Sequence, residues 1–157
     1  VNGDDGIMSL RIAVAIFQAA GLFVGLLLVA QSAKVKGKAD IVFWLIAVAT
    51  LVVWMFPRHK LFDISISVFL IGVLTYLISN PIPKRYVIAG AFVGLIAVFG
   101  RNHGVYGAIG SLLTIAWLTI KHRSGSGFIK AIVLWSSGVV IGFLPVILML
   151  IFIPGFA

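Results

Sequence analysis

Cysteine and glutamate are both missing from this chain of 157 residues, and the four acidic groups are Asp4, Asp5, Asp40 and Asp63. Without cysteine there is no disulfide scaffold and no thiolate nucleophile. No carboxylate pair of the kind used by membrane aspartyl proteases or glycosidases is present. Charge of either sign is scarce, at 10% of residues, whereas 62% are apolar and the mean hydropathy is +1.21. A soluble domain is usually about 25% charged and about 45–50% apolar. A chain this short still exposes roughly 30% of its surface after folding. Water therefore could not solvate it, and lipid is the expected surroundings. A soluble enzyme and a disordered region are excluded on the same ground.

The basic residues number 12 and leave a formal charge of +8. They occur one to three at a time between apolar runs, where membrane topology and anionic headgroups account for them. No nucleic acid partner is expected, because no basic stripe forms. Cutting the chain at its charges and prolines leaves six apolar runs: Ile12–Ala30, Ile41–Phe56, Leu61–Ser79, Tyr86–Gly100, Val105–Ile120 and Ala131–Ile153. A helix crosses a bilayer with about 20 residues, and about 17–25 is usual. The fourth run is short and reaches only about 22 Å. The expected fold is all-α, a polytopic transmembrane bundle of six spans in one membrane domain covering residues 1–157.

The loops alternate in charge. Lys34, Lys36, Lys38, Lys84, Arg85, Lys121, Arg123 and Lys130 fall on one side, eight in all, against Arg58, Lys60 and Arg101 on the other, with Arg11 set apart at the mouth of the first span. The positive-inside rule makes the richer side cytoplasmic and puts both termini outside, in the cytoplasmic membrane of a bacterium or archaeon. Removal of a signal peptide would account for the Val1 start, as would trimming or a non-standard start codon.

Part of the sequence occurs twice. Ala20-Gly21-Leu22-Phe23-Val24-Gly25-Leu26 matches Ala89-Gly90-Ala91-Phe92-Val93-Gly94-Leu95 at six of seven positions. The segments Trp54 to Lys60 and Trp117 to Arg123 both open on Trp and close on a basic-His-basic triplet, and Gly72 aligns loosely with Gly138. A three-span unit that is duplicated enters the membrane the second time from the opposite side, the inverted arrangement of transporters. The expected units are 7–80 and 81–157. Chance matching among glycine-rich membrane helices is the alternative.

Gly21 and Gly25, Gly90 and Gly94, and Gly138 and Gly142 are spaced four apart. Each pair clears a strip along one helix face where another backbone can approach. Gly107 continues such a strip with Gly104, Ser111 and Thr114. Close helix packing is the first expectation for these residues, and a narrow passage lined by small side chains is the second. Polar residues at membrane depth draw attention as a solute path. The candidates are Gln18 in the first span, Asp63 at the start of the third, and Arg101, Asn102 and His103 between Gly100 and Gly104. Asp63 also suits an interfacial ion pair with Arg58 and Lys60. The 100–104 segment reads as a turn, either dipping into the bilayer or forming an external hairpin, and its glycines permit tight or left-handed geometry. Pro145 is expected to kink the last span.

Catalysis has little to work with. His59 and His103 fall outside and His122 inside, so no three-histidine metal site forms. No enzyme activity, metal or cofactor is expected. Two functions fit: a small oligomeric channel or transporter for an ion or small solute, and a non-catalytic subunit of a larger membrane assembly such as a secretion or conjugation apparatus, a respiratory complex or a membrane-embedded filament. Absent deep charges favour the subunit, and the inverted repeat favours transport. The orientation is checked directly: single cysteines replacing Lys36 and Lys121 should resist an impermeant thiol reagent applied to intact cells. Labelling of both would reverse the topology.

Overall fold

A computed structural model describes residues 4–33, 38–55, 61–121 and 125–153. Among these residues are six α-helices and no strand: α1 (Asp4–Ser32), α2 (Lys38–Met55), α3 (Leu61–Ser79), α4 (Pro83–Phe99), α5 (Arg101–Lys121) and α6 (Gly125–Phe152). The fold is all-α. Three stretches are long and apolar enough to cross a membrane: Gly6–Ser32, Arg101–Lys121 and Gly127–Phe152. Asp40–Trp54 and Asp63–Ser79 are apolar but shorter. Outward faces carry large apolar side chains, with Ile120 77% exposed, Phe152 73% and Val53 72%. Each such side chain left in water forgoes about 1.5–3 kcal/mol of burial, so these faces suit lipid.

Five helices begin before the apolar runs from which they are read. α1 starts at Asp4 rather than Ile12, and α6 at Gly125 rather than Ala131. The reason is that hydrogen bonding along a helix does not stop where side chains turn polar. Lys and Arg are good helix formers, and their long stems reach back to the headgroups. The expected turn over 100–104 needs the same correction. Arg101 to Gly104 are helical, and Gly100 alone joins α4 to α5. Its backbone is extended (φ −154°, ψ 104°), not left-handed. The Gly100 N–H donates to Ile96 O at 2.8 Å, and the Gly104 N–H donates to Gly100 O at 3.0 Å. One residue thus closes one helix and opens the next. At the other end of α4, Ile82 is extended (φ −100°, ψ 155°) because Pro83 follows it. Pro83 fits the first helical turn, where its missing N–H costs nothing. α6 continues through Pro145 to Phe152.

The chain forms two compact units, Val1–Gly72 and Val73–Ala157, with the boundary inside α3. In the second unit the glycines of α4 and α6 face one another. A methyl group on Gly90 would overlap the Trp135 carbonyl oxygen, and one on Gly94 that of Val139. Reciprocally, a methyl on Gly138 would overlap the carbonyl oxygen of Val87, and one on Gly142 that of Ala91. The two backbones touch with no side chain between them. Contacts advance together along both helices: Val87 meets Gly138, Ala91 meets Gly142, and Leu95 lies beyond it against Gly142. α4 and α6 therefore run parallel. α5 must return between their ends, and it does. Gly104 packs so tightly on Ala97 that an added methyl would lie 2.7 Å from the Ala97 Cα. Seven residues of continuous helix would separate them by about 10 Å, so the chain has reversed.

The first unit uses similar positions with more room. A methyl on Gly25 would sit 3.5 Å from Leu51 Cδ1 and 3.7 Å from Val68 Cγ1, ordinary contact distances. On Gly72 it would meet Val24 Cγ1 at 2.9 Å. Gly21 is buried. Phe17 and Phe69 meet edge to face with centroids 5.2 Å apart, a geometry that adds about 0.5–1.5 kcal/mol beyond burial.

The difference between the units is measurable. Gly90→Ala or Gly138→Ala must push two backbones apart and should destabilise by about 3 kcal/mol or more, above the usual overpacking range. Gly25→Ala should stay within about 1 kcal/mol, since its methyl meets only side chains at ordinary distance. Reversible unfolding in detergent compares the three directly.

Candidate functional site

The residues proposed from sequence for a solute path divide between the units. Gln18 lies half-buried on α1 and Asp63 is exposed in the first turn of α3, both in the first unit. The Asp63 carbonyl accepts the Ser67 hydroxyl at 2.8 Å. Arg58 and Lys60, the expected ion-pair partners of Asp63, lie outside the described residues, as do His59 and His122. Arg101, Asn102 and His103 belong to the second unit. They form the first turn of α5, with Arg101 and Asn102 exposed and His103 half-buried. His103 Nδ1 lies 3.1 Å from where a methyl on Gly100 would stand, so the ring folds back over the connecting glycine. A first helical turn offers N–H groups without intrahelical acceptors. Its dipole and the Arg101 guanidinium both favour an anion there.

From that turn a single stripe runs down the buried face of α5: Gly104, Gly107, Ser111, Ile115 and Leu118. Side-chain size grows along it. At Gly104 the helix is pressed against Ala97 of α4. Near the Leu118 end the structure opens a cleft of about 470 Å³, whose walls include Asn80, Tyr86, Thr119, Gly127, Lys130 and Leu134. These come from the start of α4 and the residues just before it, the end of α5 and the start of α6. Sequence reading does not find this cleft, because its walls lie up to about fifty residues apart in the chain. The only sequence signal is the basic character of that end.

Buried polar atoms are few, and four of them lack hydrogen-bond partners among the described residues, Arg85 Nε being one. Ser65 and Ser111 are completely buried. Their hydroxyls and the Trp135 indole N–H make no hydrogen bond. Ser111 sits midway between the two ends of α5, about 15 Å from each. Other hydroxyls bond their own helix: Ser79 donates to Thr75 O at 2.7 Å, Thr119 to Ile115 O at 2.9 Å, and Ser137 to Leu134 O at 2.7 Å. Ser111 does not take that local option.

Among the described residues no three His, Cys, Asp or Glu gather where a metal could sit. Neither orphaned serine has a histidine hydrogen-bonded to it, so nothing activates either one as a nucleophile.

An unpaired buried hydroxyl costs about 1–3 kcal/mol. Ser111→Ala should therefore stabilise the second unit by about 1 kcal/mol in detergent unfolding. A loss of stability instead would reveal a partner for the hydroxyl.

No family model, curated protein or solved structure matches this chain.

Proposed function

We propose that the protein is a six-span membrane channel or transporter for an ion or small solute, built from two inverted three-span units and assembled as a homo-oligomer. The observation that carries this reading is the parallel pairing of α4 and α6 through facing glycines, with α5 returning between them. Three passes in one unit leave it on the opposite side from which it entered, as an inverted repeat requires. The first unit echoes the pattern. A methyl on Gly25 of α1 would reach Val68 of α3 at 3.7 Å and one on Gly72 of α3 would reach Val24 of α1 at 2.9 Å, through side chains rather than backbone. Gly25 aligns with Gly94 in the two sequence copies, and Gly72 aligns loosely with Gly138.

The same pairing weakens the subunit reading. That reading uses the glycine strips as contacts between protomers, yet those on α4 and α6 are closed against each other within the chain. In the transport reading the polar first turn of α5 (Arg101, Asn102 and His103) receives the solute, and Ser111 offers it a hydroxyl at mid-depth. Gln18 and Asp63 are the corresponding polar groups of the first unit. Six helices barely enclose a path, which is why an oligomer is proposed. The eight basic residues on one side put both termini outside and bring anionic headgroups to the inner loops.

Purified protein in proteoliposomes tests the proposal with potassium, sodium, chloride and glycerol gradients as probes. At least one should dissipate faster than in empty vesicles. Arg101→Ala and His103→Ala should each slow that flux at least about tenfold, a loss of roughly 1.4 kcal/mol, without changing the size of the assembly. Flux of no probe overturns the transport reading; normal flux in both variants removes the site assignment.

A further inference from the structure

The second unit, Val73–Ala157, carries Lys84, Arg85, Arg101, Lys121, Arg123 and Lys130 and not one Asp or Glu. No side-chain carboxylate of this unit can neutralise any of them. Two use aromatic faces instead. The Arg85 guanidinium lies 3.9 Å from the Tyr76 ring centroid and donates to the Tyr76 carbonyl, and Lys121 Nζ lies 4.7 Å from the Trp117 ring centroid. Lys130 has neither arrangement among the described residues, and it lines the cleft.

The walls of that cleft are of two kinds. Lys130, Asn80 and Thr119 are polar, and Thr119 keeps its oxygen free to accept because its proton goes to Ile115 O. Leu118, Ala131 and Leu134 are apolar and continue from the cleft along α5 and α6. A volume of about 470 Å³ lies within the range of small-molecule sites. A ligand that uses all of this has an anionic head for Lys130 and an apolar tail for the leucines.

We propose that this cleft binds one anionic phospholipid, with its phosphate at Lys130 and the start of an acyl chain along Leu118 and Leu134. A soluble phosphate ester would leave the apolar wall unused, and a zwitterionic lipid would bring its own cation to a unit that already has an unbalanced positive charge. The inference rests on the membrane reading of the chain and not on transport, so it stands or falls separately from the flux experiment.

Native mass spectrometry of the detergent-purified protein provides the test, with phosphatidylglycerol and phosphatidylcholine of equal chain length offered together. One phosphatidylglycerol per chain should be retained in preference. Lys130→Gln should cut that retention at least about fivefold, because a charge-assisted contact to phosphate is lost. Lys130→Arg should keep it. Arg11→Gln removes the same charge from the first unit and should leave retention unchanged. Lys130 is exposed, so its replacement does not disturb the fold, and an unaltered circular dichroism spectrum verifies this. Excess glycerol phosphate should not displace the lipid. Equal retention of both lipids, equal losses in the Lys130 and Arg11 variants, or displacement by glycerol phosphate would each overturn the proposal.

Discussion

Lipid tails are as apolar as leucine, so helices in a bilayer gain little by hiding apolar side chains against each other. What brings α4 and α6 together is proximity of backbone to backbone. Gly90, Gly94, Gly138 and Gly142 remove every side chain from the seam, and each glycine then lies under a carbonyl oxygen of the other helix. At that range Cα–H groups bond weakly to carbonyls, for about 0.5–1 kcal/mol apiece, and dispersion acts between two continuous surfaces. Four glycines would weaken an isolated helix in water by about 0.8–1 kcal/mol each. In a bilayer unsatisfied backbone is far costlier, so the helix persists and the glycines are free to serve packing.

The remainder of the second unit follows from this seam. With α4 and α6 parallel and adjacent, α5 must run back along them, and the single residue Gly100 forces it close to α4 at the start. Gly104 makes the close approach to Ala97 possible. Further along the same buried face stand Ser111, Ile115 and Leu118. The polar turn lies at one end of α5, and the cleft, which Leu118 and Thr119 help to line, at the other. Ser111 falls between the small and the large residues of that face.

The helices and the glycine spacing are legible in the sequence because both are local. Apolar runs bounded by charge identify segments, and residues four apart share a face whatever surrounds them. Which strip meets which is a different kind of fact. Nothing local distinguishes Gly90 facing Trp135 from Gly90 facing a second protomer, and only the three-dimensional packing assigns it. Helix ends depart from the ends of the apolar runs wherever polarity changes before hydrogen bonding does, as at Asp4 and Gly125. The Gly100–Gly104 segment departs for a related reason. Two glycines around Arg, Asn and His resemble a loop, yet the second glycine is there for Ala97 to pack on and the polar residues are the first turn of a helix. The cleft at Lys130 has no local sign beyond the basic character of that end.

The absence of acid in the second unit has a structural counterpart. In a chain with carboxylates at hand, Arg85 and Lys121 would pair with them, and each pair would have to be carried at the edge of the hydrocarbon. Here the rings of Tyr76 and Trp117 take the cations. A ring is polarised without being charged, so it stabilises a cation by about 0.5–2 kcal/mol and brings no second ion to desolvate. That solution keeps the positive charge uncompensated and directed at whatever lies beyond the helix ends. The same economy of acid that leaves this unit without carboxylate chemistry thus leaves the positive charge of its basic end uncompensated by any side chain of the unit.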